Sequence, residues 1–283
     1  MIVVTAASGA LGRLVVEQLL TRHPGRPVVA AVRDPGRCAD LAARGAQVRR
    51  GDYDDPASLR DAMRGAERLL LISSPVPDTD ARVMDTDARE LGTEVRVRQH
   101  RAAIEAAVDA GVKAVAYTSF LGADRGGDGM NAVHHATERA IAASGLPATM
   151  LRHPFYTEAF VNPGLRDAVT SGALAGGTGG RGLNTALRSD LAVAAATVLT
   201  SDEHLGRAYD LTGPLWTYQD LARVLSELSG RAVEPVETTV APPLGLLMQL
   251  AKAGLLERQT TDLEALLGRP PTSLREAVAA ALG

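Results

Sequence analysis

The N-terminal segment is the feature of this chain that most constrains its fold. A short apolar run enters the small-residue segment Thr5–Gly12, and Leu14–Leu20 follows with apolar residues at helical spacing. Strand, tight turn and helix in this order form the context in which a glycine-containing loop binds a dinucleotide. Such a turn lets backbone N–H groups approach a pyrophosphate, and the helix N-terminus adds a favourable dipole. Gly9 and Gly12 hold the last two positions of a Gly-x-x-Gly-x-x-Gly pattern, and Ala6 stands at the first.

Composition narrows the class of protein further. Of the 283 residues, 46% are hydrophobic but only 3% are aromatic, so Ala, Val and Leu must fill the core. A net charge of −3 gives no overall attraction to nucleic acid or anionic lipid. Cys38 is the only cysteine, and the adjacent His134 and His135 point to different faces of one helix, so we expect no metal site. With no leader peptide and no apolar run of membrane-spanning length, we expect a cytoplasmic protein, either a monomer or a homodimer.

Short apolar runs alternate with helical patterns through the first half of the chain. This alternation predicts right-handed βαβ units and an α/β fold, a doubly wound parallel sheet of Rossmann type over residues 1–153. Gly65, Gly111 and Gly145 fall just past helix ends, where a left-handed cap favours glycine. The predicted strands are Ile2–Thr5, Val28–Arg33, Gln47–Gly51, Arg68–Ser73, Ala114–Ser119 and Ala148–Arg152, and the predicted helices are Leu11–Leu20, Gly36–Ala43, Pro56–Met63, Gln99–Ala110 and Asn131–Ala143.

The second half is less regular, and residues 154–283 are expected to form a smaller α/β subdomain that covers the substrate, with the chain crossing back between the two. Residues 171–182 are rich in glycine and predict a flexible loop. The acidic residues 77–96 predict either a solvated surface loop or a mobile lid beside the ligand crevice. The elements predicted here are a helix at Asp190–Leu199, a strand at Ala208–Leu211, and helices at Thr217–Ser229, Pro242–Leu256, Thr261–Leu267 and Ser273–Leu282.

The strand ends also indicate where a ligand binds. In open α/β sheets the ligand lies at the carboxyl ends of the strands, so the residues after each strand should line one crevice. Arg33 ends the second strand, 21 residues after Gly12, where an arginine suits the 2′-phosphate of NADP. The adjacent Asp34 leaves NAD as an alternative. Arg13 either assists Arg33 or is an ordinary exposed arginine.

Several motifs together resemble one family along nearly the whole chain. The chain is similar to the NmrA-like branch of the atypical short-chain dehydrogenases/reductases, and within it to bacterial type 2 NAD(P)H:quinone oxidoreductases. The resemblance implies a Rossmann domain with a small C-terminal domain and NADPH in the cleft between them. This chain departs from the family at Ala6, where glycine is usual, and in its longer acidic segment. The matching segments are Thr5–Gly12, Val32–Pro35, Gly51–Asp55, Leu69–Ser74, Tyr117–Asp124, Leu151–Glu158, Gly213–Thr217 and Leu267–Leu274.

The resemblance also implies a set of cofactor contacts. Those after the third strand should lie on the adenine side, and those after the fourth strand should meet the ribose. The candidate cofactor-binding residues are Ala6, Ala7, Ser8, Gly9, Ala10, Leu11, Arg33, Asp52, Tyr53, Ser73, Ser74, Pro75, Thr118, Ser119, Phe120, Glu138, Phe155 and Tyr156.

The helix after the fifth strand departs from the catalytic pattern of classical short-chain dehydrogenases, a Tyr-x-x-x-Lys pair in which lysine lowers the tyrosine pKa. Here His134 stands at the tyrosine position and Glu138 at the lysine position. As i and i+4 they share a helix face, and a glutamate beside a histidine raises its pKa. The pair is either a catalytic proton donor or a structural or cofactor-binding pair. Tyr117, inside the fifth strand, is expected to be a packing residue.

The resemblance implies hydride transfer from NADPH, or from NADH, to a quinone-like acceptor. Such a reaction needs mainly orientation and exclusion of water, while protons come from His134 or from solvent. Phe155 and Tyr156 are expected either to contact nicotinamide or quinone or to pack at a domain interface. Two alternatives stay open: a non-catalytic NADP(H)-binding redox sensor that acts through a protein partner, and a reductase of another carbonyl or an epimerase-like enzyme.

Overall fold

The apolar runs of the first half form strands at nearly the predicted positions, with helices between them. In the computed structural model, residues 1–74, 86–126, 130–241 and 244–283 are described, with the side chains of 86–91 and 130 excepted. The elements up to residue 153 are β1 Ile2–Val4, α1 Ala10–Arg22, β2 Val28–Val32, α2 Ala39–Ala43, β3 Gln47–Arg50, α3 Pro56–Met63, β4 Arg68–Leu71, α4 Thr86–Asp109, β5 Ala114–Phe120, α5 Met130–Ser144 and β6 Ala148–His153.

The second half contains more strands than its sequence pattern predicts. Two of its helices begin with a capping box, formed by the side chains of Thr217 and Ser273. Two others end at a glycine in the left-handed conformation, Gly172 and Gly268. The elements are β7 Phe155–Tyr156, α6 Leu165–Ser171, β8 Ala173–Gly176, β9 Leu183–Ala186, α7 Arg188–Thr200, β10 Ala208–Asp210, β11 Leu215–Trp216, α8 Tyr218–Ser229, β12 Glu234–Glu237, α9 Leu244–Lys252, α10 Asp262–Leu267 and α11 Leu274–Leu282.

The first unit comprises Met1–His153 and Leu191–Asp210. Its sheet has seven strands in the order β10-β6-β5-β4-β1-β2-β3, and all the pairings are parallel. The central strands are buried except at Arg68, the first residue of β4, as expected of a parallel sheet with helices on both faces. The order reverses direction at β1, so the carboxyl ends of β1 and β4 flank the switch point where ligands bind in such sheets.

The second unit comprises Pro154–Asp190 and Leu211–Gly283. It contains a three-stranded sheet in the order β11-β9-β7 and a two-stranded sheet of β12 and β8. Its core gathers Trp216, Tyr218, Phe160 and aliphatic residues of α8, α9 and α11. The chain returns to the first unit through α7 and β10 and then leaves it again.

Two sequence expectations about loops are wrong. The glycine-rich residues 171–182 contain β8, which pairs in parallel with β12 from Ala173 to Gly176. Glycine there suits close packing, because a Cβ at Gly176 would lie 2.6 Å from the ring of Tyr218. The acidic segment is helical from Thr86 onward, since α4 begins there and not at Gln99. Its residues 77–85 lie outside the described residues.

Among the described residues, no helix is long and apolar enough to cross a membrane. A metal site would need a cluster of His, Cys, Asp or Glu side chains, and the sequence predicts none. In the described part of the chain, no group of three or more such residues has the geometry to hold a metal ion.

Candidate functional site

The loop between β1 and α1 leaves the start of the helix open to an anion. Gly9 is the N-cap of α1 and offers no side-chain cap, and its own N–H donates to the carbonyl of Ala6 at 3.0 Å. Among the described residues, no side-chain cap accepts from the first-turn N–H groups of α1. Such groups, with the helix dipole behind them, form a site suited to a phosphate.

The backbone at the end of this loop packs closely against its beginning. A Cβ at Gly12 would lie 2.5 Å from the carbonyl oxygen of Ala6 and 2.7 Å from the Cα of Ala7, so only glycine fits there. At Gly9 the nearest atom would be 3.3 Å away. Ala6 has a φ of 48°, the only positive φ at a described residue other than glycine. The family's usual glycine at this position would adopt that conformation without strain.

The end of β2 presents Arg33 and Asp34, which have different surroundings. Both are exposed. The Asp34 carboxylate accepts the N–H of Gly36 at 3.0 Å and caps the short 3-10 helix Pro35–Cys38. Because Asp34 is used as a cap, Arg33 is the side chain better placed to meet a ribose phosphate.

Arg13 is half-buried and joins two segments of the chain, so it is not an ordinary exposed arginine, while its assistance to Arg33 stays a prediction. Its Nε donates to the carbonyl of Ser8 at 3.2 Å, and its Nη2 donates to the carbonyl of Arg37 at 2.5 Å. Its Nη1 forms an ion pair of 2.5 Å with Asp40. Arg13 therefore joins the loop before α1 to the segment that follows β2.

Tyr53 and Thr5 link the ends of three strands. The Tyr53 hydroxyl bonds to Thr5 Oγ1 at 2.7 Å and to the carbonyl of Ile72. Thr5 Oγ1 donates to the carbonyl of Leu70 and accepts the N–H of Ile72 at 2.9 Å. Burial raises the Tyr53 pKa well above its usual range, so the hydroxyl stays protonated. Neighbouring Asp52 is half-buried, and its N–H donates to Ser58 Oγ.

The residues after β4 and β5 lie side by side. The N–H of Ser73 donates to Thr118 Oγ1 at 2.9 Å, and Ser119 Oγ donates to Glu138 at 2.6 Å. Phe120 is the last residue of β5, and its ring centroid lies 5.9 Å from that of His134. The structure thus brings these candidate residues together at one edge of the sheet. Pro75 lies outside the described residues.

His100 of α4 is a fixed neutral imidazole behind this edge. The N–H of Ser74 donates to its Nε2 at 2.9 Å, so the proton is on Nδ1. Nδ1 lies 2.8 Å from Thr137 Oγ1, whose own proton goes to the carbonyl of Val133. Burial, together with the charge of Arg96, lowers the His100 pKa to about 3.

Arg96 lies one turn before His100 and reaches the same loop. Its Nε donates to the carbonyl of Ser74 at 3.0 Å, and its Nη2 donates to Ser73 Oγ at 2.7 Å. The residue is 7% exposed. Neither Arg96 nor His100 was identified from the sequence. Their i, i+4 spacing on a helix that packs against the sheet was the one available signal.

His134 does not pair with Glu138, which corrects the sequence expectation. Its Nδ1 lies 2.9 Å from the hydroxyl of Tyr117, and the two ring centroids are 5.9 Å apart. Burial lowers the His134 pKa to about 3, with the charge of Arg96 adding to the effect. The predicted rise in pKa is therefore wrong, and the ring is neutral at physiological pH. Tyr117 is fully buried as expected, but its hydroxyl is not surrounded by apolar groups alone, because it bonds to His134.

Glu138 belongs to a different cluster. Arg152 donates to both of its carboxylate oxygens, through Nε at 2.9 Å and Nη2 at 2.8 Å. Arg152 also lies 3.5 Å from Asp124 and 3.8 Å from Asp210. Glu138 is therefore occupied by a salt bridge and cannot play the role of the lysine in the classical pair.

Phe155 and Tyr156 form β7 in the second unit and pair with β9. Phe155 packs against the core of that unit. The guanidinium of Arg188 lies 4.1 Å from the centre of the Tyr156 ring, at cation–π distance. These contacts give both aromatic residues a structural role, and contact with nicotinamide or quinone stays a prediction.

Comparisons with known proteins agree with this geometry. Residues 6–202 match a family model described as NAD(P)H-binding. Over 98% of its length the chain is 37% identical to quinone oxidoreductase 2 of Escherichia coli K12, of which it covers 97%. The resemblance to bacterial quinone oxidoreductases is thereby confirmed.

Two solved structures match the chain throughout. Citrobacter sp. triphenylmethane reductase complexed with NADP(H) has a TM-score of 0.89 at 36% identity, with 99% of each chain covered. The NADPH complex of the quinone oxidoreductase QOR2 from Escherichia coli has a TM-score of 0.84 at 35% identity, with 100% of each chain covered. The doubly wound parallel sheet, the open helix N-terminus and the family match lead to one conclusion. The chain belongs to the NAD(P)H-binding family, as its NmrA-like motifs predict.

Proposed function

We propose that this chain is an NADPH-dependent oxidoreductase that transfers hydride to a quinone-like acceptor. The observation that carries the proposal is the loop from Ala6 to Gly12, where only glycine fits at the last position and the first turn of α1 has no side-chain cap. Whole-length similarity to a quinone oxidoreductase and to two reductases solved with NADP(H) or NADPH supports the same activity.

The residues present fit a dinucleotide. The N–H groups of Ala10 and Leu11 would hold the pyrophosphate, because the helix leaves them without an acceptor. Arg33 would bind the 2′-phosphate. The ribose and nicotinamide contacts would come from the polar residues after β4 and β5. These are Ser73, Ser74, Thr118 and Ser119, with Asp52 and the Tyr53 ring on the adenine side.

The protein's contribution to the reaction is to orient the reactants and exclude water. Once bound, reduced nicotinamide supplies a hydride to the acceptor. His134 is neutral and buried, so it holds no proton to donate as an imidazolium. The Tyr117 hydroxyl keeps its proton because burial raises its pKa well above the usual range. We therefore expect the proton that completes the reduced acceptor to come from solvent.

A steady-state assay tests this function. The purified chain is mixed with NADPH or NADH and with a panel of quinones and aldehydes, and the loss of reduced-cofactor absorbance is followed. We expect turnover with NADPH and at least one quinone. The Gly12→Ala variant, which blocks the loop, should show none. NADPH binding without turnover of any acceptor would contradict the proposal and favour a redox sensor.

The expected cytoplasmic location and the oligomeric state, monomer or homodimer, stay predictions.

A further inference from the structure

Two arginines of the first unit, one buried and one half-buried, differ in their electrostatic surroundings. The Arg152 side chain, 13% exposed, lies within 4 Å of three carboxylates, those of Glu138, Asp124 and Asp210. Arg96 is 7% exposed, and no carboxylate of the described residues forms an ion pair with it. The first arginine is neutralised by its neighbours, and the second is not.

The groups that hydrogen-bond to Arg96 in the described structure are neutral. Its hydrogen bonds go to a carbonyl oxygen of Ser74 and a hydroxyl of Ser73. His100 is held in its neutral form by the N–H of Ser74, and the Tyr117 hydroxyl keeps its proton. Burial lowers the pKa of Arg96, but a guanidinium remains charged in proteins.

One nitrogen of the Arg96 guanidinium makes no hydrogen bond to the described residues. Nε and Nη2 make the two hydrogen bonds, and within the described part of the chain no hydrogen bond reaches Nη1. These bonds hold the planar group against Ser73 and Ser74, directly after β4, at the edge of the sheet where a ligand is expected. A buried charge is costly without a partner, so a position like this one is suited to a negative charge that arrives with a ligand.

We propose that Arg96 is a specificity-determining residue for the acceptor, and that it binds the oxygen that becomes negative when a quinone receives hydride. This inference rests on the proposed function. The hydride carries two electrons from NADPH to the quinone, NADP+ is left, and one quinone oxygen becomes an oxyanion. A proton from water then gives the hydroquinone. A fixed guanidinium stabilises that oxyanion, and no side chain has to donate a proton.

The proposal predicts opposite effects on two classes of acceptor. A quinone gains negative charge in the reaction, so a buried cation accelerates its reduction. A triarylmethyl cation, the reactive form of a triphenylmethane dye, carries a positive charge that the hydride removes. A buried cation opposes binding of that acceptor and does nothing for its transition state.

The test compares Arg96→Gln and Arg96→Lys with wild type. Arg101→Gln is the matched control, since it removes the same charge from an exposed position on the same helix. For each protein, kcat/KM is measured with a naphthoquinone and with a cationic triphenylmethane dye, and the Kd of NADPH is measured by fluorescence. NADPH binding also shows that each variant is folded.

We expect Arg96→Gln to lower kcat/KM for the quinone by about 100-fold, the usual cost of losing one oxyanion donor. The dye rate should not fall, and the Kd of NADPH should change far less than the quinone kcat/KM, because Arg96 contacts Ser73 and Ser74 and not the cofactor itself. Arg96→Lys should lie between this variant and wild type, because it keeps the charge and loses the planar fork. Arg101→Gln should match wild type.

Three results would overturn the inference. A loss of NADPH affinity in Arg96→Gln as large as the loss of quinone kcat/KM would assign Arg96 to the cofactor. An equal loss with both acceptors would give it a structural role, and an unchanged quinone rate would give it no role in the reaction. By contrast, failure of the wild type to oxidise NADPH with any acceptor would overturn the proposed function itself.

Discussion

The carboxylate of Glu138 accepts two hydrogen bonds from the guanidinium of Arg152, at 2.9 and 2.8 Å. His134, one turn earlier on the same helix, bonds instead to the hydroxyl of Tyr117. Two residues that share a helix face in the sequence therefore belong to separate networks. One network anchors α5 to the end of β6, and the other connects α5 to the buried centre of β5.

Loss of the Glu138 carboxylate should destabilise the first unit. Glu138→Ala removes three charge-assisted hydrogen bonds, two from Arg152 and one from Ser119, at a site that is mostly buried, which costs about 2 kcal/mol in the free energy of unfolding. Asp124 and Asp210 remain near Arg152 and limit the loss. Urea denaturation measures the effect. Glu227→Ala, which breaks exposed ion pairs with Arg223 and Arg275, is the control and should change stability less. Equal changes in the two variants would contradict this assignment.

Stability should fall as the pH is lowered from about 6.5 toward 5. His100, His134 and His153 each have a pKa of about 3 in the folded protein because they are buried. In the unfolded chain a histidine takes up a proton near pH 6.5. Below that pH the unfolded state binds more protons, so each histidine lowers the free energy of unfolding by up to about 1.4 kcal/mol per pH unit.

The check is urea denaturation between pH 7.5 and 5, with His134→Gln beside wild type. The variant should lose the share of the pH dependence that one histidine contributes. Quinone reduction by the wild type should show no inflection from His134 in this range. Two results would show that His134 titrates in the folded protein. In the first, the free energy of unfolding has the same pH dependence in the variant as in wild type. In the second, the quinone reduction rate of wild type changes with a pKa near 6.5, and that of the variant does not.

The two ends of the phosphate loop should respond differently to substitution. Gly12→Ala places a Cβ 2.5 Å from the Ala6 carbonyl oxygen and should abolish NADPH binding. Ala6→Gly should keep binding and leave stability unchanged or up to about 1 kcal/mol higher, because it relieves a positive φ at the entropic cost of glycine. Gly9→Val should also abolish binding, because a branched side chain enters the phosphate path. NADPH fluorescence titration measures all three, and tight binding by Gly12→Ala would rule out this loop.

Arg33 should determine the preference for NADPH over NADH. Loss of a charge-assisted hydrogen bond to the 2′-phosphate costs about 1.5–3 kcal/mol, so Arg33→Ala should weaken NADPH binding by about ten- to a hundredfold. Binding of NADH should barely change. Arg60→Ala, at another exposed position of the same unit, serves as the control. Equal affinity of the wild type for both cofactors would remove Arg33 from the site.

Much of the first unit follows from the sequence. Strands β1, β2 and β4 are clear in the sequence because buried parallel strands consist of nearly continuous apolar runs. Helix α3 begins and ends where predicted, with Asp55 as its cap. Gly65, Gly111 and Gly145 have the positive φ that their positions after helices require. The second unit was harder, because β7 and β11 have only two residues each and leave no period to detect.

The polar centre of the site could not be derived from the sequence. An arginine and a histidine on α4 are indistinguishable in sequence from solvated residues. Their burial depends on how α4 packs beside β4 and β5, which brings Arg96 and His100 to the backbone of Ser74. Likewise, the sequence places Glu138 near His134 but does not show that Arg152, on the neighbouring strand, competes for the carboxylate.

Direct transfer of hydride from NADPH to a quinone bound to this protein can be measured in a single turnover. The experiment uses excess enzyme, a naphthoquinone and NADPH deuterated in turn at each C4 position of the nicotinamide. We expect NADPH to be oxidised in one step that deuterium at one of the two C4 positions slows, while deuterium at the other has little effect. NADPH that binds but is not oxidised on adding quinone would show that the protein does not transfer hydride to this acceptor.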